Sequence, residues 1–274
     1  MSDPGEFRLI EGVKCYHPEL AQSFDDYPES GFDVTDDVEE ESFWVRSRVR
    51  LLRRELLALT AGAPAKVLEI GCGTGTILRT LIGEQGLELV GSEVYLRGLR
   101  SAIRHCPAIE FIQLDATRIP FLSDFDVVGA FDVIEHIDDD DAVLRGIHCS
   151  LKPGGHLLLT VPQHRFLWSR LDELVHHKRR YARASLLEQL RHAGFSVSYT
   201  TSFVFMLFPL LLLSRLLDRS SGTDSDAAEF DRRVRFHPLV NRIFDAIMRI
   251  DEALIKRRWS LPFGGTLLVV ATKP

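Results

Sequence analysis

The chain has 274 residues, 45% of them hydrophobic and 26% charged, with a net charge of −6. That is enough apolar material for a full core, one domain carrying an insertion. The charge is uneven: residues 1–42 hold 13 Asp and Glu against Arg8 and Lys14, and the mild positive remainder is no nucleic-acid footprint.

Taken in chain order, residues 1–41 read as an acidic, solvated N-terminal arm. The start, Met-Ser-Asp-Pro-Gly-Glu, lacks the basic and apolar regions of a signal peptide. Residues 42–59 read as a helix, with Ser42 as cap and Phe43, Val49, Leu52, Leu56 and Leu59 near one stripe. Val67, Leu68 and Ile70 then form the apolar run of a buried parallel strand. The run stops at Gly71, Gly73 and Gly75, where backbone can turn and approach a ligand, and a helix starts at Thr76. Strand and helix patterns alternate from there: strands at 66–70, 87–92, 109–113, 126–131, 155–161 and 195–202, helices at 76–83, 96–104, 139–151 and 183–193. Lys152-Pro-Gly-Gly155 reads as a turn. Such alternation predicts an α/β fold, a mostly parallel sheet with helices on both faces. The last strand, 265–272, follows the previous one only after residues 204–263, too long for a hairpin loop.

The four cysteines, Cys15, Cys72, Cys106 and Cys149, form no C-x-x-C pair. They point to reduced thiols in a cytoplasmic setting, and against a disulfide framework or a zinc site.

The glycine loop is spaced G-x-G-x-G, not the G-x-G-x-x-G of dinucleotide sites, and Glu69 at the strand end would repel a phosphate and attract a cation. Glu69-Ile-Gly-Cys-Gly-Thr-Gly75 resembles motif I, E-x-G-x-G-x-G, of the class I S-adenosylmethionine-dependent methyltransferases. The resemblance implies a Rossmann-like seven-stranded sheet, S-adenosylmethionine as cofactor and S-adenosylhomocysteine as product. It implies cofactor contacts from Glu69, Gly71, Cys72, Gly73 and Gly75. Glu93, with Val94, would hold the ribose hydroxyls, and Asp115, with Ala116, the adenine; taken singly, each acid could equally be a helix cap or a solvated turn. Asp132 and Val133 would border the adenosyl and methionine moieties. Phe43-Trp-Val-Arg-Ser-Arg48 resembles a lid of the same subgroup, in which Arg46 or Arg48 pairs with the methionine carboxylate, or else lies on a solvated face.

Asp132-Val-Ile-Glu-His-Ile137 stands where nucleobase and glutamine methyltransferases carry an Asn/Asp-Pro-Pro-aromatic tetrapeptide. It resembles the small-molecule branch that includes ubiquinone-biosynthesis O-methyltransferases. His136 is a candidate general base or a brace for the acidic helix start after it. Residues 161–181 are dense in His, Arg, Trp, Asp and Tyr and resemble a segment of methyltransferases acting on cell-surface glycans or lipids. There His164 and His177 are further catalytic candidates, and Trp168, Asp172, Arg180 and Tyr181 substrate-binding ones. Positions 164, 172, 176 and 177 fit no compact ligand spacing, so no metal is expected.

The insertion opens with an apolar run, 203–213, broken by Pro209 and short of the roughly 20 residues that cross a bilayer. Ser220–Asp226 reads as a loop, and 238–258 as a basic amphipathic helix. The pair suits a membrane interface, with the protein peripheral on the inner face; the competing reading is a substrate lid or a homodimer surface. The expected activity is methyl transfer to oxygen of a small or lipid-linked acceptor, with no nucleic-acid partner. A non-catalytic cofactor-binding scaffold and an RNA methyltransferase are the alternatives.

Overall fold

The computed structural model describes residues 6–21, 42–217 and 236–274. Its centre is a nine-stranded mixed sheet: β1 (Arg8–Ile10), β2 (Val13–Cys15), β3 (Ala65–Ile70), β4 (Leu87–Glu93), β5 (Glu110–Gln113), β6 (Phe125–Phe131), β7 (Leu151–Pro162), β8 (Ser196–Phe203) and β9 (Thr266–Thr272). The order is β1-β2-β5-β4-β3-β6-β7-β9-β8. Strands β2 to β7 pair in parallel, whereas β9 lies antiparallel between β7 and β8. The seven-stranded methyltransferase sheet is therefore present, with two strands added at one edge.

Those two strands correct the reading of 1–41 as a solvated arm. Leu9↔Lys14 and Ile10↔Val13 form a tight hairpin, and Lys14 and Cys15 pair with Ile112 and Gln113 of β5. Val13 and Cys15 are buried on one face of the sheet, which is what anchors so acidic a segment. The rest of the arm, 22–41, lies outside the described residues, as does the loop expected at 220–226.

The helices are α1 (Phe43–Thr60), α2 (Thr76–Arg79), α3 (Leu96–His105), α4 (Asp140–Ser150), α5 (Arg170–Leu174), α6 (Arg183–His192), α7 (Phe208–Leu217) and α8 (Pro238–Lys256). The sheet has a core on each face. Leu51, Leu52 and Leu56 of α1, Leu99 and Ala102 of α3, and Met248 and Ile255 of α8 meet Val67, Val127 and Leu268 on one side. Val143, Leu144 and Ile147 of α4 and Leu186 and Leu190 of α6 meet Leu68, Val128 and Val269 on the other. Neighbouring strand residues such as Val67 and Leu68 are thus buried on opposite faces, which explains the unbroken apolar runs.

Two local details differ from expectation. The Lys152–Gly155 stretch is a bulge inside β7, marked by a register shift between Phe125 and Val127, and not a turn before it. Pro209 does not break the apolar run but stands in the first turn of α7, where its missing N–H costs nothing. No helix among the described residues is long and apolar enough to cross a membrane.

Candidate active site

A cavity of about 700 Å³ opens at the carboxyl ends of β3, β4, β5 and β6, within the size range of small-molecule sites. The glycine loop forms its floor. Gly71 sits at φ 67°, and a Cβ there would lie 2.5 Å from Val133 Cγ2, so the loop can pass under Val133 only as glycine. A Cβ on Gly73, at φ 52°, would meet nothing within 4 Å. The loop leads into only one short helical turn, α2, so the helix expected over 76–83 contributes little dipole. Thr74 and Thr76, whose hydroxyls lie 3.2 Å apart, add polar lining that the glycine pattern did not single out.

Three carboxylates surround this floor. Glu69 is buried at the end of β3. Glu93 locks the loop to the next strand: its Oε2 accepts from Gly73 N–H at 3.2 Å and its Oε1 from Val94 N–H at 2.8 Å. Burial raises the Glu93 pKa against those hydrogen bonds. Asp115 caps the turn after β5, accepting from Thr117 N–H at 2.9 Å and from Arg118 Nε at 2.8 Å, so it is both a cap and a cavity wall. Asp115 N–H in turn donates to His17 Nδ1 at 3.0 Å, which ties the wall to the N-terminal segment. Leu20 of that segment lines the cavity too, a contribution hidden in the sequence by the surrounding acids.

At the opposite side Asp132 adopts φ 55°, an uncommon value for a non-glycine residue at the end of β6. Its carboxylate accepts from Thr160 Oγ1 at 3.1 Å and pairs with Arg48 at 3.1 Å. Arg48 lines the cavity, and its Nε is buried with no hydrogen-bond partner. Arg46 does not: it turns outward to Asp245 of α8, at 3.7 Å. Cys72, Val94, Ala116, Val133 and His136 all line the cavity, and Lys178 joins them unforeseen.

His136 is mostly buried, and desolvation, reinforced by His177, pushes its pKa down to about 3. It is neutral at physiological pH, able to accept a hydrogen bond but weak as a store for a proton. The His177 ring packs edge-on against it at 4.7 Å, one layer back from the cavity. His164 is not in the cavity: at φ 65° its ring lies among Phe166, Phe208 and Phe263. The aromatic packing that removes it comes from β9's approach and α7, which are remote in sequence.

The expected substrate contacts at 168–181 are also corrected. Asp172 is fully buried and accepts from Ser169 N–H at 2.9 Å, His177 Nδ1 at 2.9 Å and Arg180 Nε at 2.7 Å. Burial works against its ionisation, yet the bonds from His177 and Arg180 hold its pKa down to about 2. Tyr181 is buried and donates to Asp140 at 2.6 Å. Trp168 lies on the outer side, 37% exposed. Asp172, Arg180 and Tyr181 are braces for the loop that carries His177 and Lys178, not cavity walls.

That loop brings His177 Nε2 to 3.8 Å from Glu135 Oε1. The Glu135 carboxyl is wholly buried, with no hydrogen-bond partner on either oxygen, and burial, then Asp132, raises its pKa well above the ordinary value. Among the described residues, Glu135, His136 and His177 each place a potential metal-ligand atom within 4.8 Å of the others, a grouping that sequence spacing did not suggest.

The donor set suits a cofactor with cationic centres, hydroxyls and an amine: carboxylates at three sides, a glycine floor open to the cavity, and the Arg48 guanidinium for a carboxylate. The strand order and this site define a class I S-adenosylmethionine-dependent methyltransferase. A family profile described as a methyltransferase domain matches residues 44–200, and the chain belongs to that family.

The chain is 33% identical over 104 residues to a ubiquinone biosynthesis O-methyltransferase of Pseudomonas aeruginosa, covering 36% of this chain and 44% of that one. It is 30% identical over 148 residues to a demethylmenaquinone methyltransferase of Renibacterium salmoninarum, covering 53% and 60%. The match thus spans less than two thirds of the length of either relative. Among solved structures, Haemonchus contortus phosphoethanolamine N-methyltransferase 2 in complex with S-adenosyl-L-methionine shares the fold at 20% identity and a TM-score of 0.58, covering 97% of this chain and 61% of that one. A Haloferax volcanii methyltransferase in complex with the Trm112 activator does so at 20% identity and 0.57, covering 90% and 95%.

Proposed function

We propose that this chain transfers a methyl group from S-adenosylmethionine to an oxygen of a small or lipid-linked acceptor. The observation that carries the reading is a single cavity lined at once by the glycine floor, Glu69, Glu93, Asp115, Arg48 and the neutral His136. When bound, S-adenosylmethionine supplies an electrophilic methyl on a sulfonium.

Glu93 is positioned by three backbone N–H groups to accept from ribose hydroxyls, and Asp115 to accept from an amine. Glu69 and Asp132 offset positive charge, and Arg48 receives a carboxylate. His136 and Lys178, which line the cavity with Ile137 and Asp138, are the groups assigned to the acceptor. A neutral His136 orients an acceptor hydroxyl by taking its hydrogen bond. The main contribution to rate is then alignment of nucleophile and methyl, with proton removal secondary. Phenols and carboxylates, which surrender a proton easily, suit such a site better than aliphatic alcohols. The small-molecule names of the relatives support this class, and the quinones in two of those names favour a lipid-linked acceptor and, with it, a peripheral position on a membrane.

The test has two stages. Calorimetry is expected to give saturable binding of S-adenosylmethionine and S-adenosylhomocysteine. Cofactor labelled in the methyl group, offered with polyprenyl phenols, short phenols and fatty acids, is expected to label a phenol or a carboxylate. Binding without transfer to any acceptor would favour the cofactor-binding scaffold, and label on an amine alone would overturn transfer to oxygen.

A further inference from the structure

Helix α8 has two unlike faces. Phe244, Ile247, Met248 and Ile255 pack inward, and Arg50 of α1 clamps Asp245 and Glu252 at 2.9 and 2.6 Å. The outward face repeats every three or four residues and carries Leu239, Ile243 and Ile250, at 59, 50 and 45% exposed. Arg242 and Arg249 stand between them and Lys256 and Arg257 follow at the C-terminal end of the helix, all four exposed. All of the helix's acids except the one Arg249 also reaches, Asp245 at 3.4 Å, are spent on inward partners: Glu252 on Arg50, and Asp251 on the N–H groups of Phe205 and Met206.

A solvated helix face normally intermixes acids with bases. This one interleaves bases with large aliphatics and turns its carboxylates inward. On its inward side, buried Asp251 ties α8 to the turn before α7, and in that turn and helix Met206, Leu210 and Leu213 are exposed as well.

We propose that the outward face of α8, with the exposed edge of α7, docks on an anionic lipid bilayer. The proposal deepens the peripheral-membrane reading given above and rests on it, but not on methyl transfer itself. Aliphatics at this spacing sink into the headgroup boundary while neighbouring Arg and Lys meet lipid phosphates. A second copy of the chain is a poorer occupant, because a two-fold contact would set four cations against four cations. A nucleic acid would use the cations but leave the aliphatics without a partner.

The experiment is co-sedimentation of the full chain with phosphatidylcholine vesicles, with or without phosphatidylglycerol, alongside calorimetric binding of S-adenosylmethionine. The chain is expected to bind only the anionic vesicles, and less as salt rises. The combined change Arg242→Gln, Arg249→Gln, Lys256→Gln and Arg257→Gln is expected to weaken vesicle binding about tenfold or more, as is Ile243→Ser with Ile250→Ser. Both variants should bind the cofactor as the parent does, which separates loss of docking from unfolding and from failure of the methyltransferase reading. No vesicle binding by the parent, or undiminished binding by both variants, overturns the proposal. So does a dimer of the parent that Ile243→Ser with Ile250→Ser disperses.

Discussion

Arg48 of α1 reaches across the cavity to Asp132 at the end of β6, 3.1 Å away. Asp132 adopts its left-handed backbone there and is held by Thr160 as well, so it fixes the guanidinium in place before any ligand arrives. A cation so held loses little freedom on meeting a carboxylate. Arg48→Gln is therefore expected to weaken S-adenosylmethionine binding by roughly tenfold or more, the value of one charged hydrogen bond. Arg46→Gln, on the outer side of the helix, should change it less than about threefold. Calorimetric titration of both variants checks this, and equal losses would contradict it.

Stability should fall early on acidification. The folded state holds the His136 pKa down to about 3, whereas the unfolded chain protonates it near 6.5. A base depressed on folding contributes stability that is complete above its unfolded pKa and is lost as pH falls from about 6.5 towards 3. Glu135, raised on folding, has the opposite sign: its contribution is present below about 4.5 and is lost as pH climbs through its folded value. Urea midpoints measured against pH should flatten on the acid side in His136→Gln and on the neutral side in Glu135→Gln.

Asp172 supplies a second acid transition. With its folded pKa at about 2, it stabilises above roughly 4 and gives that up as pH drops through 2. Asp172→Asn leaves Arg180 and His177 facing a neutral partner in a buried setting, and is expected to cost roughly 3–5 kcal/mol. Chemical denaturation measures the loss. A cost below about 1 kcal/mol would show that the network is dispensable.

Gly71→Ala places a methyl 2.5 Å from Val133 Cγ2 and at a positive φ. Two costs add, a steric one and a backbone one of about 1 kcal/mol. Val133→Ala in the same chain removes only the first. The double variant should therefore recover part, and not all, of the lost thermal stability, and full recovery would argue that backbone conformation is immaterial here.

How much of this was legible from residues alone differs with the range of the interaction. The glycine loop, Glu93 and Asp115 could be read because strand period and turn chemistry are local. Arg46 and Arg48 sit two positions apart, roughly 200° around a helix, and only the docking of α8 decides which faces the cavity. The polar density of 161–181 suggests ligand contact, yet Asp172 spends its oxygens on Ser169, His177 and Arg180. His164 was displaced by rings of α7 and by Phe263, partners that no window around residue 164 contains. The β1–β2 hairpin was masked because three-residue strands vanish in an acidic background, and only Val13 and Cys15 hinted at a buried face.

The position of β9 bears on how the molecule is made. β8 is hydrogen-bonded within the sheet to β9 alone, and residues 204–265 must come before that partner exists. Until then β7 and β8 both present bare strand edges, the feature most prone to recruit foreign strands. A ribosome stalling within 204–265 would thus release more than an inactive fragment. It would release a sticky one, so quality control has as much at stake in the final strand of this sheet as catalysis does in its first glycine.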